Sequence, residues 1–135
     1  LRATPMDLLQ QRTLDEAIEK RFAAYLAFRC WPHREEFFFL LDRASRDAGL
    51  GGVDVLSRCG NTSAEEESRR SARYSESYMD DAAELFSGYR FALVFENRLS
   101  PRYVTEKIVN AFLSGAIPIY WGTPYVLHMF NPHAL

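Results

Sequence analysis

The chain alternates short apolar runs with amphipathic helical segments over most of its 135 residues, and this alternation limits its fold more than any other feature. The apolar runs have the length and composition of buried strands; they occupy residues 21–28, 53–56, 91–97 and 116–122. The helical patterns lie between them, at residues 34–48, 78–87 and 104–114. Strands that alternate with helices at this spacing form βαβ units. The sequence therefore predicts an α/β fold, a Rossmann-like parallel sheet with flanking helices.

Two further segments lie before and within this pattern. Residues 1–20 are predicted to form a packing or linking helix without chemistry of its own, which leaves residues 21–135 as the domain. Residues 57–77 are rich in Ser, Glu and Arg, which predicts a solvated loop, and Asn61 within them fits the glycosylation acceptor pattern. In the helix over residues 34–48 we expect one apolar face; it consists of Phe37, Phe38, Leu40, Leu41 and Ala44.

Composition excludes several classes of protein. The 16 basic and 18 acidic side chains are mixed along the chain and give a net charge of −2, so we expect no nucleic-acid surface. No run of about 18 apolar residues occurs, and no charged segment followed by an apolar core opens the chain, which predicts neither a membrane span nor a signal peptide here. Because the chain begins at Leu1 and ends at Leu135 within an apolar phrase, we consider both a complete domain and a piece of a larger protein.

Cysteines and histidines give no sign of a metal site or a disulfide scaffold. Cys30 and Cys59 are too few for such a scaffold and lack metal-ligand spacing. His33, His128 and His133 share no ligand pattern. We therefore expect buried thiols and surface imidazoles.

Two loops of the predicted sheet bring cations to the edge where such folds bind ligands, outside the carboxyl ends of the strands. One loop follows the first strand and ends at Arg34, and the other follows residues 91–97 and ends at Glu106 and Lys107. On a helical wheel the second helix has a polar side; it consists of Glu106, Lys107, Asn110 and Ser114.

These residue types suggest a nucleoside diphosphate site. Free backbone N–H groups and the helix dipole attract an anion at the start of the second helix, where Lys107 adds a full positive charge. Arg34 adds a bidentate fork from across the crevice, and Glu106, which would repel phosphates, suits ribose hydroxyls. The alternative is an ordinary first-turn Glu–Lys pair and a solvated surface arginine. Neither a GxGxxG nor a Walker sequence is present, which excludes the usual phosphate cradles.

One ordered set of phrases resembles a known family. FALVFEN is followed after five residues by YVTEK, then by a helix and by GAIPIYWGTP, and the order is similar to the signature of the α-1,3/α-1,4-fucosyltransferases, glycosyltransferase family 10. PYVLHMFNPHAL at the end of the chain fits the same family. The resemblance is dense over residues 89–135 and thinner back to Phe22, with SRCGN at residues 57–61 similar to the turn after the second strand.

The resemblance implies the donor-binding half of a GT-B architecture, in which two Rossmann-like halves face each other across a cleft. By motif position, Arg34 and Lys107 are implied to clamp the pyrophosphate of GDP-β-L-fucose, and Glu106 to bind the ribose. Asn97 and Tyr103 are implied to be further donor contacts. Glu96 is interpreted as structural, because strand alternation points its side chain away from that of its neighbour.

Two departures from the family's pattern concern this site. Arg98 stands where the family usually has Ser or Thr, and this third cation either strengthens phosphate binding or crowds the donor. The loop that ends at Arg34 is also about one residue shorter than expected, which makes the placement of Arg34 less secure than that of Lys107.

The implied reaction transfers L-fucose with inversion to a hydroxyl of an N-acetylglucosamine-type acceptor glycan, and the expected linkage is α-1,3. No metal or other cofactor is implied, since the Asp-rich metal motif of other glycosyltransferases is absent. The general base is expected from the half that this chain lacks, so no catalytic residue is assigned and the piece alone is expected to be inactive. Partners would be GDP-fucose and the glycan, with a membrane reached only through a segment outside this chain.

Location and the competing functions stay open from the sequence. The Asn61 triplet and the two cysteines favour the lumenal side of the Golgi membrane, and the alternative is the bacterial cytoplasm or inner-membrane surface. Competing functions are a non-catalytic GDP-binding GT-B half and an unrelated nucleotide-binding α/β domain.

Overall fold

The computed structural model describes residues 19–27, 29–57, 59–60 and 78–135. The predicted helix over residues 1–20 lies outside these residues except for its last two positions. Most of the predicted polar loop over residues 57–77, with Asn61, also lies outside them.

The described residues form four strands and four helices in alternating order. The strands are β1 (Arg21–Tyr25), β2 (Val53–Val55), β3 (Tyr89–Phe95) and β4 (Ile117–Trp121). The helices are α1 (Pro32–Asp47), α2 (Tyr78–Phe86), α3 (Glu106–Ser114) and α4 (Val126–Met129), and a 3-10 turn follows at Pro132–Ala134. None of the described helices has both the length and the apolar character needed to cross a membrane.

All four strands are parallel and lie in the order β2-β1-β3-β4, which confirms the predicted sheet. Tyr25 pairs with both Val55 and Leu93, and Phe95 pairs with Trp121, so the carboxyl ends of the strands meet at one edge. β1 and β3 each end two or three residues before the predicted limit. The residues that follow them therefore begin loops at that edge instead of continuing the ladder.

Alternating side chains on the strands build a core on each face of the sheet. On one face Val94 packs with Phe86 of α2 and Ile108 of α3. On the other face Tyr25 lies in the cluster of Phe38 from α1, and their rings stack 5.0 Å apart. The sheet is therefore covered on both faces, as parallel sheets require.

The predicted apolar face of α1 is wrong in part. Phe38 is fully buried, but Phe37 is 40% and Leu40 64% exposed. The buried side of the helix includes Arg34 and Ser45 instead. Because Phe37 to Leu41 is a continuous apolar run, it supplies apolar side chains to every side of the helix, and periodicity cannot identify the one that packs on the sheet.

Candidate functional site

A cavity of about 140 Å³ opens at the carboxyl edge of the sheet, between the loop after β1 and the start of α3. Its apolar wall includes Leu26, Phe86 and Val94. Its polar wall is formed by Arg29, Arg34, Asn97, Glu106, Lys107 and Asn110. A concave site with one apolar wall and a few convergent polar groups is the usual form of a small-molecule site.

The cavity brings together four of the five residues that the sequence singled out. Arg34 comes from α1, Asn97 from the loop after β3, and Glu106 and Lys107 from the first turn of α3. Tyr103 is not among the lining residues; it lies half-buried on the loop that leads into α3.

Two further polar residues of the wall, Arg29 and Asn110, were not named as candidates from the sequence. Asn110 is only 4% exposed and lies one turn after Glu106 and Lys107 on α3. Its position on the polar side of the helical wheel was a signal that could have identified it. Arg29 precedes α1 in a loop, where no periodicity marks which side chains face a cavity.

Arg34 is buried, with 2% of its surface exposed, and its guanidinium is held by hydrogen bonds. Nη2 donates to the backbone carbonyl of Glu96 at 2.5 Å and to Oδ1 of Asn97 at 3.0 Å, and Nη1 donates to the carbonyl of Arg29 at 3.3 Å. Nε has no hydrogen-bond partner among the residues that the structure describes. Burial lowers the pKa of Arg34 from its ordinary value, although a guanidinium stays charged at neutral pH. The alternative of a solvated surface arginine therefore does not hold.

The start of α3 is fixed by Thr105 and Glu96. Thr105 is the N-cap, and its hydroxyl accepts from the backbone N–H of Lys107 at 3.5 Å. The fully buried carboxylate of Glu96 accepts from the Thr105 N–H at 2.9 Å and from the Thr105 hydroxyl at 2.7 Å. The ammonium of Lys107 lies 3.7 Å from the same carboxylate. The N-terminal turn of α3 is thus anchored to the end of β3, with Lys107 on the cavity side.

A second side chain borders the Glu96 carboxylate from β4. The Tyr120 hydroxyl is buried close to this carboxylate. Burial and then the negative charge of Glu96 raise the pKa of Tyr120 to about 12. Both groups leave no room at Gly122, where a Cβ would collide with the Tyr120 hydroxyl and lie 2.8 Å from Cγ of Glu96.

Arg98 lies over Tyr103 and is absent from the cavity lining. Its guanidinium carbon is 4.5 Å from the centroid of the Tyr103 ring, a cation–π contact. In this structure the third cation therefore neither adds to the cavity wall nor fills the cavity.

The expectation of two buried thiols is wrong, because Cys30 and Cys59 form a disulfide. The bond joins the loop after β1 to the loop after β2, which lie side by side because β1 and β2 are neighbours in the sheet. Among the described residues, one group of three side chains has metal-ligand proximity, Cys30, Glu35 and Cys59, and both of its sulfurs are in the disulfide. The three histidines are exposed, as predicted.

Comparison with known protein families finds one match. The family described as glycosyltransferase family 10 (fucosyltransferase), C-terminal region, matches residues 49–134. That range holds β2, β3, α3 and β4 and therefore most of the cavity wall, although Arg34 precedes it.

Individual relatives are similar over a larger share of this chain than of their own. A fucosyltransferase of Acanthamoeba polyphaga mimivirus is 35% identical over 111 residues, which cover 82% of this chain and 18% of that protein. An α-(1,4)-fucosyltransferase of Arabidopsis thaliana is 32% identical over 79% of this chain and 27% of its own length. An α-(1,3)-fucosyltransferase of Helicobacter pylori is 55% identical over 49 residues, 36% of this chain and 10% of the relative. The chain thus spans less than a third of each relative.

Solved structures of fucosyltransferases are also similar to most of this chain and to less than a third of their own length. The crystal structure of an α1,3-fucosyltransferase with GDP-fucose superposes with a TM-score of 0.64 and 32% sequence identity, over 84% of this chain and 29% of that one. The crystal structure of an α1,3-fucosyltransferase with GDP gives a TM-score of 0.58 and 30% sequence identity, over 84% of this chain and 28% of that one.

Proposed function

This chain belongs to glycosyltransferase family 10, the fucosyltransferases, and from that membership we propose that it is the donor-binding half of a GT-B enzyme that transfers L-fucose from GDP-β-L-fucose to a glycan hydroxyl. In this proposal residues 21–135 form the GDP-sugar-binding domain. The domain that binds the acceptor is supplied by a part of the enzyme that this chain does not contain.

The observation that carries the proposal is the pairing of two cations across one cavity. Arg34 from α1 and Lys107 from α3 line the same cavity, and the N-terminal turn of α3 opens onto it. Two positive charges and the positive end of a helix dipole suit the two negative phosphates of a nucleoside diphosphate. Glu106 lies beside Lys107, where a carboxylate can accept hydrogen bonds from ribose hydroxyls.

In the proposed reaction this half stabilises the leaving group. An acceptor hydroxyl attacks C1 of fucose while the bond from C1 to the β-phosphate oxygen breaks, so the configuration inverts and negative charge grows on GDP. The guanidinium of Arg34 is already oriented by Asn97 and by the Glu96 carbonyl, so it stabilises this charge without rearranging. Asn97 and Tyr103 are proposed as further donor contacts.

The proton of the attacking hydroxyl needs a general base, and we assign none in this chain. The carboxylate of Glu96 is fully buried and bonded to Thr105, and Glu106 has the proposed role of ribose ligand. The base is therefore proposed to come from the acceptor half, and this chain alone is expected to be inactive. We propose an N-acetylglucosamine-type acceptor and an α-1,3 linkage. The name of the Helicobacter pylori relative supports the linkage.

We also propose that the transfer needs no metal ion. In metal-dependent transfer a divalent cation neutralises the diphosphate, and here Arg34 and Lys107 would supply that charge. Nucleic acid is not a proposed partner, since the net charge of −2 gives no electrostatic attraction to phosphodiester chains.

For the location we propose the lumenal side of the Golgi membrane. Disulfides persist in oxidising compartments, which include the secretory lumen and exclude the bacterial cytoplasm, and Cys30–Cys59 supports this assignment. Attachment to the membrane would come from a segment outside this chain.

Isothermal titration calorimetry of the chain with GDP, UDP and NAD tests the proposal. We expect GDP to bind and UDP and NAD to bind at least tenfold more weakly. Preference for NAD, or no binding of GDP at concentrations that saturate a diphosphate site, would overturn the proposed donor.

A further inference from the structure

Glu96 holds both cations of the proposed diphosphate site, although it does not face the cavity. It follows β3 directly and is fully buried. Its backbone carbonyl accepts from Nη2 of Arg34 at 2.5 Å. Its carboxylate lies 3.7 Å from the ammonium of Lys107.

The contacts of this carboxylate converge on one end of Lys107. Thr105 donates to both oxygens, from its N–H at 2.9 Å and from its hydroxyl at 2.7 Å. The Thr105 hydroxyl in turn accepts from the Lys107 ammonium at 3.4 Å. The ammonium is thus held between the Glu96 carboxylate and the Thr105 hydroxyl.

Lys107 keeps access to the cavity while it is held. Its side chain is 29% exposed, whereas that of Glu96 has no exposed surface, so a bound anion can contact the lysine but not the carboxylate. A lysine has a long flexible side chain, and fixing it before binding reduces the entropy lost when the ligand arrives.

We propose that Glu96 is a positioning residue, which holds the Lys107 ammonium toward the diphosphate and acts through that lysine. The inference rests on the proposed function, because it takes the anion bound by Lys107 to be a diphosphate. If Glu96 were needed only to cap α3 through Thr105, its replacement would affect GDP binding to the same extent with and without the Lys107 ammonium.

The two roles separate in a double-mutant cycle measured by calorimetry with GDP. The variants are Glu96→Gln, Lys107→Met and the two combined, in the full 135-residue chain. Glutamine keeps the length and an acceptor for the Thr105 N–H but removes the charge opposite Lys107. If Glu96 acts through Lys107, Glu96→Gln weakens GDP binding about tenfold in the wild-type chain, within the range of coupling between residues in contact, and less than twofold in the Lys107→Met chain.

Equal weakening in both backgrounds, or no weakening in the wild type, overturns the positioning role and leaves the proposed function standing. No GDP binding by the wild-type chain overturns the proposed function and this inference with it. Asp54→Asn is the matched control, since Asp54 is a half-buried carboxylate in β2 that pairs with Arg21 at 2.8 Å. This variant is expected to leave GDP affinity within twofold of the wild type.

A second variant covers the case in which Glu96→Gln does not fold, as judged by far-UV circular dichroism. Thr105→Val removes the hydroxyl that joins Glu96 to the Lys107 ammonium. We expect about a threefold loss of GDP affinity in the wild-type chain and none in the Lys107→Met chain. An equal loss in both chains, or no loss, contradicts the positioning role in the same way.

Discussion

Arg34 and Asn97 are joined by a hydrogen bond of 3.0 Å from Nη2 to Oδ1, across 63 positions of the chain. The bond connects the first turn of α1 to the loop after β3, and both residues line the cavity. The sequence suggested each of them separately as a contact for the sugar nucleotide. Their mutual contact means that the guanidinium is oriented before any ligand binds, which favours electrostatic stabilisation of a diphosphate.

Replacement of Arg34 by lysine keeps the charge but removes the fork that reaches Glu96, Asn97 and Arg29 together. We expect Arg34→Lys to weaken GDP binding by about 1–3 kcal/mol, because a single ammonium cannot replace a bidentate guanidinium. Calorimetric titration with GDP measures the loss.

Arg43→Lys is the matched control for this change, since Arg43 is exposed on the same helix. It is expected to bind GDP as the wild type does. If circular dichroism shows that Arg34→Lys is folded and the variant binds GDP with wild-type affinity, Arg34 has no part in diphosphate binding.

Much of the fold was predictable because local patterns determine it. Apolar runs that alternate with helical patterns are enough to predict parallel strands. A local signal also marks the end of α3, where Gly115 has a φ of 79° that favours glycine. The rule that ligands bind at the carboxyl edge then placed Arg34 and Lys107 at the same edge of the sheet.

Features that depend on neighbouring strands were not predictable from local patterns. The burial of Arg34 requires the Glu96 carbonyl, 62 positions away, as an acceptor. The disulfide requires that the loops after β1 and β2 lie side by side, and nothing in the spacing of Cys30 and Cys59 indicates this. Tertiary contact determines both features.

Removal of the Lys107 ammonium tests the other half of the cation pair. We expect Lys107→Ala to lower GDP affinity by about 1–3 kcal/mol, the range for a hydrogen bond to a charged group. Titration at two salt concentrations adds a second readout, because loss of a partly exposed charge also reduces the salt dependence of binding. Lys20→Ala, at the opposite end of the sheet, is the control; unchanged GDP affinity in Lys107→Ala would remove Lys107 from the site.

Reduction of the disulfide is expected to lower the free energy of unfolding by about 3–4 kcal/mol, from the closure entropy of a loop with the observed separation of 29 residues. α1 begins at Pro32, two residues after Cys30, so the first turn that contains Arg34 should also loosen and GDP should bind more weakly. Urea denaturation with and without reductant measures the first effect and calorimetry the second. The Cys30→Ser/Cys59→Ser variant should have the same denaturation midpoint with and without reductant. The same result for the wild type would contradict the expectation.

Gly122 is required by close packing between the end of β4 and Glu96. A Cβ at this position would lie 2.6 Å from Cζ of Tyr120 and 2.8 Å from Cγ of Glu96, both shorter than ordinary contact distances. We expect Gly122→Ala to lower the free energy of unfolding by about 1–3 kcal/mol, because both neighbours are held by the surrounding core and cannot move without strain. Urea denaturation compares it with Gly88→Ala, where a Cβ meets no atom within 4 Å and the change should stay within about 0.5 kcal/mol. Equal stability of the two variants would show that β4 and the Glu96 side chain yield more easily than this packing indicates.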